Sequence, residues 1–193
     1  MFDGNHSLKH GIFEVVPDAL SAAECAVIKT VAAQLPASAG TIPRDVVDEG
    51  YRKSQLRWLT MNQSTEAIYS RIAQIIARSN DATWHFEITK FSGPLQFTEY
   101  DALGSHYTWH MDWGPGTNNE RKLSLSIQLS EPAEYEGGDL EFMNGGVKEG
   151  ERRMMRRVGT AIIFPSFIQH RVTPIVRGCR KSLVAWVGGR PYR

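Results

Sequence analysis

The chain has 193 residues, with 22 Lys and Arg against 21 Asp and Glu, a formal net charge of +1. That balance gives no reason to expect a nucleic acid or a membrane surface as the default partner. With 41% hydrophobic and 10% aromatic residues, a sizeable core is within reach, and the length suits one domain, taken here as 1–193.

Residues 1–11 are polar and hold no apolar core of signal-peptide length. No later run approaches ~18 apolar residues, so a cytoplasmic setting is the expectation. Ile12 to Val16 reads as a short strand ended by Pro17. Ser21 and Glu24 have the S-x-x-E spacing of a capping box. Ala23, Val27, Ile28, Val31, Ala32 and Leu35 then recur at three- and four-residue steps, which predicts a helix over 22–35, stopped by Pro36. Cys25 in that helix reads as a small buried hydrophobe, and with Cys179 it makes no disulfide framework. Residues 37–50 hold Ser, Gly, Pro and Asp without a period and read as a loop near a substrate mouth. Arg52 to Thr60 reads as a strand. Ile68, Ile72, Ile75 and Ile76 form one apolar stripe, so a second helix is predicted over 65–79. Residues 1–83 are thus expected to form a helical support region.

From Trp84 onward the pattern changes to strands. Trp84 to Phe91 alternates, Leu95 to Tyr100 follows, and His106 to Trp113 comes after the turn at Gly104. Lys122 to Ser130 alternates throughout, with Leu123, Leu125, Ile127 and Leu129 against Ser124, Ser126, Gln128 and Ser130. That is a strand with one apolar and one small polar face. Further strands are predicted over 139–143, 161–164, 168–175 and 181–187, divided by Gly and Pro. Such a series indicates a sandwich or barrel of antiparallel strands. Arg152, Arg153, Arg156 and Arg157 read as a solvated turn, as does the acidic group Glu131, Glu134 and Glu136.

One short stretch carries chemistry. In a strand, side chains two apart point the same way, so His110 and Asp112 project together. His170 arrives 58 residues after Asp112. Two imidazoles and one carboxylate on one side of a metal leave its other side open, as in the facial triad of non-haem iron(II) oxygenases. Ten residues on stands Arg180, with Ser182 on the same strand face, a cation and a hydroxyl suited to a carboxylate. His106 is a weaker rival ligand, since about 13 Å of strand separates it from His110. Trp186 reads as core.

Together Tyr100-x3-Gly104-x2-Tyr107-x2-His110-x-Asp112, Gly137-Gly138-Asp139-Leu140, Gly159-Thr160-Ala161-Ile162-Ile163-Phe164-Pro165-Ser166, His170 and Gly178-x-Arg180-x-Ser182 with Trp186 resemble the prolyl-4-hydroxylase-type branch of the iron(II)/2-oxoglutarate dioxygenases. The resemblance is greatest to its small bacterial and phage hydroxylases and covers about residues 84–188. It implies a mainly β fold with flanking helices, a double-stranded β-helix (jelly roll) over 84–188 with the N-terminal helices packed on one sheet. It implies His110, Asp112 and His170 as iron ligands and Arg180, helped by Ser182, on the distal carboxylate of 2-oxoglutarate. Tyr100 would lie by that cosubstrate and Tyr107 near it or the substrate. Gln128 stands where some relatives place a Tyr that helps bind the carboxylate. The implied cofactors are Fe(2+), 2-oxoglutarate and O2, with ascorbate as reductant. The implied reaction is C–H hydroxylation with release of succinate and CO2, on a prolyl or other residue of a peptide or protein, on a free amino acid or other small metabolite as the alternative. A non-catalytic jelly-roll binding module is the rival from another class. Substrate identity and oligomeric state stay open.

Overall fold

The computed structural model describes residues 8, 9, 11–41 and 46–192. Among these lie β1 (Leu8–Lys9), β2 (Glu14–Val16), α1 (Ala22–Ala33), β3 (Ser38–Ala39), β4 (Arg52–Lys53), β5 (Gln55–Leu59) and α2 (Glu66–Ser79). The second part holds β6 (Lys90–Phe91), β7 (Leu95–Tyr100), β8 (His106–His110), β9 (Arg121–Gln128), β10 (Tyr135–Gly137) and β11 (Leu140–Phe142). It ends with α3 (Glu149–Met155), β12 (Ala161–Pro165), β13 (His170–Val172), β14 (Ile175–Gly178) and β15 (Arg180–Gly188).

A large antiparallel sheet runs β1-β2-β12-β9-β15-β7-β5-β3, with β6 beside β15. A smaller one runs β11-β13-β8-β4, and β10 pairs with β14. The chain crosses from β7 in the large sheet to β8 in the small one, back to β9, and again from β12 to β13. These crossings are those of a jelly roll.

The predicted capping box at Ser21 forms: the Glu24 amide reaches the Ser21 hydroxyl and the Glu24 carboxylate accepts from the Ser21 amide. One face of the large sheet packs under both N-terminal helices. Cys25, Ile28 and Ala32 of α1 and Ile68, Ile72 and Ile76 of α2 share a core with Leu95, Phe97, Leu123, Leu125, Ile127, Leu183 and Ala185. The 3.6-residue period of the helices and the two-residue period of the strands therefore meet in one apolar layer.

Four sequence expectations change. Trp84 to Phe91 is not one strand. Asn80–Trp84 forms a wide helical turn closed by His85 at φ 56°, and pairing begins only at Lys90. The Asn80 amide accepts from the Phe86 N–H and donates to the Phe86 carbonyl, so it satisfies backbone that a neighbouring strand would otherwise pair. The 52–60 strand splits at Ser54, β4 joining the small sheet and β5 the large one. The 168–175 strand ends at Val172, and β14 begins after Thr173 and Pro174. Arg152 and Arg153 of the arginine run lie on α3, and only Arg156 and Arg157 lie in the turn that follows it. Arg152 and Arg156 both turn onto Asp139, at 3.2 and 2.6 Å.

Candidate active site

His110 ends β8 and His170 opens β13, and the two are direct partners across that strand pair. The strand predicted over 106–113 stops at His110, so Asp112 is not placed by strand alternation. It is pinned instead by its own N–H donating to the Ser166 carbonyl at 2.9 Å and by the Ser124 hydroxyl donating to Oδ2 at 2.7 Å. The result is still convergence. Asp112 Oδ1 is 3.8 Å from His110 Nε2, and Oδ2 is 3.6 Å from His170 Nε2. One ligating atom from each of the three residues lies within 4.8 Å of the others.

Two donors bound cis to one metal at ~2.1 Å sit about 3 Å apart, so a small contraction suffices to close on an ion. Both imidazoles are turned for this. Nδ1 of His110 meets the Thr108 carbonyl at 2.7 Å and Nδ1 of His170 meets the Ile168 carbonyl at 2.9 Å. A ring that donates from Nδ1 keeps the Nε2 lone pair free for a metal. Tyr107 stacks on His110, with centroids 3.4 Å apart, and Phe164 meets the His170 ring edge-on at 4.6 Å.

The electrostatics favour a ligating state. Burial, and then the neighbouring His170, lower the His110 imidazole to about 3, so it stays neutral. Burial alone would raise the Asp112 carboxyl. His170, His110, the Ser124 hydroxyl and Arg121 outweigh it and hold the group below the usual carboxylate range. A neutral imidazole and an ionised carboxylate are the forms that bind a cation.

The triad opens on a cavity of about 380 Å³ between the two sheets. Its floor is the face of the large sheet turned away from the helices. In register across that face lie Phe164, Ser124 and Trp186, then Ile162, Ser126 and Val184, then Gln128, Ser182 and Thr98, and of these Phe164, Trp186, Ser126, Val184 and Ser182 line the cavity. Arg180 pairs with Tyr100 at the far end.

Arg180 is 3% exposed and has no carboxylate partner among the described residues. Its guanidinium lies 5.7 Å from the centroid of the Tyr100 ring. Tyr100 is buried, which raises its phenol against the opposing pull of Arg52 and Arg180. Tyr135, whose hydroxyl accepts from Gln128 Nε2 at 3.1 Å, shares a small hollow with Arg180. Gln128 differs from its expected place: its amide N–H groups are taken by Tyr135 and the Ser130 carbonyl, and it does not line the cavity of the triad. Tyr135 stands nearer Arg180 and was not singled out by sequence. Gly138 is required here, because its φ is +62° and a Cβ would press on Ile175 Cδ1 and Arg180 Cδ at 2.6 and 3.1 Å. Ser182, 2% exposed, and Tyr107 both line the cavity.

Residues 95–188 match the family model of the 2OG-Fe(II) oxygenase superfamily. That segment of the chain carries the superfamily's domain. A PKHD-type hydroxylase of Acidovorax ebreus (strain TPSY) is 31% identical over 160 residues, covering 78% of this chain and 64% of that protein. The chain spans between 37% and 64% of the length of the curated relatives compared with it. A prolyl-4-hydroxylase of Pseudomonas putida superposes with a TM-score of 0.72 at 20% identity, covering 94% of each chain. A prolyl hydroxylase from Trichoplax adhaerens, solved with a peptide fragment of the hypoxia inducible factor oxygen degradation domain, gives 0.73 at 19% identity over 91% of this chain and 83% of that one. These likenesses bear out the fold expectation, a jelly roll with helices on one sheet.

The superfamily name carries iron(II) and 2-oxoglutarate, and the His110–Asp112–His170 donor set fits iron. His106 is no rival ligand, since its ring nitrogens meet the Gly104 and Gly50 carbonyls at 2.8 and 3.2 Å. Trp186, read as core, is buried and also lines the cavity, with Arg121 stacked over it at 4.1 Å. Thr41, from the predicted loop, also lines it, whereas residues 42–45 of that loop, and His6 and His10, fall outside the described residues. No helix among the described residues is long and apolar enough to cross a membrane.

Proposed function

We propose that the chain is an iron(II)- and 2-oxoglutarate-dependent hydroxylase acting on a prolyl or other residue of a peptide or protein. The observation that carries this reading is one cavity with two ends. Three metal donors converge at one, and a buried guanidinium without a carboxylate partner waits at the other. His110, Asp112 and His170 would hold one side of the ion and leave the rest of its sphere to ligands from solution. Arg180 would fork onto the distal carboxylate of 2-oxoglutarate, with Tyr135 and Ser182 beside it. When bound, iron with 2-oxoglutarate and dioxygen supplies oxidative decarboxylation to succinate and CO2, coupled to C–H hydroxylation, with ascorbate as the reductant that keeps the iron ferrous. The walls, with Phe164, Val172, Leu140 and Val184, keep water from the reacting atoms.

A peptide is favoured over a free metabolite by the shape of the mouth. A second hollow of about 510 Å³ adjoins the cavity, and both share Trp58, Asn118, Arg121 and Trp186. That gives an extended trough rather than a closed chamber. The test loads the chain with iron(II) and 2-oxoglutarate and screens peptide and amino-acid libraries for succinate release and a mass gain of one oxygen atom. Oxygen gain on a peptide is expected. Iron uptake without succinate from any pool would leave a binding module instead.

A further inference from the structure

Three guanidinium groups line the iron-site cavity, those of Arg52, Arg121 and Arg180, and Asp112 is the one acidic residue of its lining among the described residues. If the chain is the hydroxylase proposed above, a metal dication, Asp112 and dianionic 2-oxoglutarate sum to one negative charge, whereas the three guanidinium groups carry three positive ones. A fully loaded cavity therefore keeps a surplus of two positive charges. Buried charge of this kind calls for a partner.

The surplus sits on Arg52 and Arg121, and neither has a carboxylate partner among the described residues. Arg52 is 6% exposed. Its Nε donates to Ser54 and its Nη1 to the Thr41 carbonyl, while Nη2 is buried with no acceptor. Arg121 donates from Nη1 to the Asp112 carbonyl at 3.1 Å, and its Nε is buried with no acceptor. The third orphan is Nε1 of Trp186, a side chain 7% exposed and lying under the Arg121 guanidinium. Arg121 and Trp186 both stand where the iron cavity meets the outer hollow. Two buried donors without acceptors, one of them on an uncompensated guanidinium, thus belong to residues that stack together and line both hollows.

We infer that the primary substrate carries a carboxylate bound by Arg121 and Trp186 at this junction, with the field of Arg52 behind it. An acidic side chain flanking the hydroxylated residue of a peptide supplies that chemistry, and so does the α-carboxylate of a free amino acid. The outer hollow, with Phe91 and Pro94 in its wall, gives a peptide room to continue.

Matched pairs differing only in charge test this: proline peptides with Glu or Gln beside the proline, and free proline against prolinamide. Each is titrated calorimetrically into the full chain holding manganese(II) and 2-oxoglutarate under anaerobic conditions, so that the result does not depend on turnover. In one pair the acid should bind at least about tenfold tighter than the amide, the factor one charge-assisted bond supplies. The pair that discriminates identifies the source of the carboxylate. Arg121→Gln should shrink the preference to about twofold, and Arg121→Lys should restore part of it, because the charge returns without the fork. Trp186→Phe, which keeps a ring and deletes the N–H, should weaken the acid alone and serves if Arg121→Gln does not fold. Equal affinities in every pair, absence of binding included, overturn the inference, as does a preference that survives Arg121→Gln. Failure of the hydroxylase reading is distinct: iron-loaded chain then yields no succinate whichever pair binds.

Discussion

Strand β9 presents one sequence to two surroundings. Leu123, Leu125 and Ile127 enter the layer beneath α1 and α2, where any apolar group of the right volume would serve. Ser124, Ser126 and Gln128 are equally buried but look the other way. Ser124 holds Asp112, Ser126 forms cavity floor, and Gln128 holds Tyr135 beside Arg180. Burial alone does not separate the two faces; chemistry does. The apolar face maintains the sheet, and the polar face spaces the His110–Asp112–His170 triad from Arg180.

This contrast can be broken in both directions. Asp112→Ala should have the largest effect: metal content and succinate formation fall to background while the circular dichroism spectrum stays unchanged. A variant that still turned over would remove the facial triad. Ile127→Ala should do the reverse. It should cost about 2–5 kcal/mol in denaturant unfolding through the cavity it leaves, yet metal affinity below the transition should match the parent. Arg180→Ala removes charge-assisted bonds of about 1.5–3 kcal/mol each, so the Michaelis constant for 2-oxoglutarate should rise at least about tenfold with metal affinity retained. An unchanged constant would move the cosubstrate elsewhere. Ser124→Ala should be mildest, lowering metal affinity by about 10–100-fold, as loss of a ligand-orienting bond does. A large loss of stability in that variant would blur the two faces.

The apolar side of this division was plain in the sequence, because helix and strand periods are local. The two imidazoles, the carboxylate and Arg180 were legible because their types and spacings match one demanding piece of coordination chemistry. Strand alternation was an incomplete reason for Asp112, whose direction comes from Ser166 and Ser124. Trp84–Phe91 alternates as a strand would, but Asn80 takes up its backbone groups. Helix α3 was hidden by Gly150 and by a run of arginines, although Arg152 and Arg153 both pair with Glu149 inside the helix while Arg152 and Arg156 also reach Asp139 outside it. Tyr135, flanked by Glu134 and Glu136, looks like part of a solvated loop until the fold carries it to Arg180. Arg52, Arg121 and Trp186 acquire meaning only from the bonds they do not make, and a sequence cannot display those.

His110 and His170 face each other on neighbouring strands although they stand 60 positions apart in the chain. An ion seated there acts as a rivet through two segments that the unfolded polypeptide keeps far apart. Mass action then ties mechanical integrity to supply: free metal at a hundred times its dissociation constant adds about 2.7 kcal/mol of resistance to unfolding. On the proposed reading, the chain without its metal would be both idle and softer, and more readily cleared by proteases.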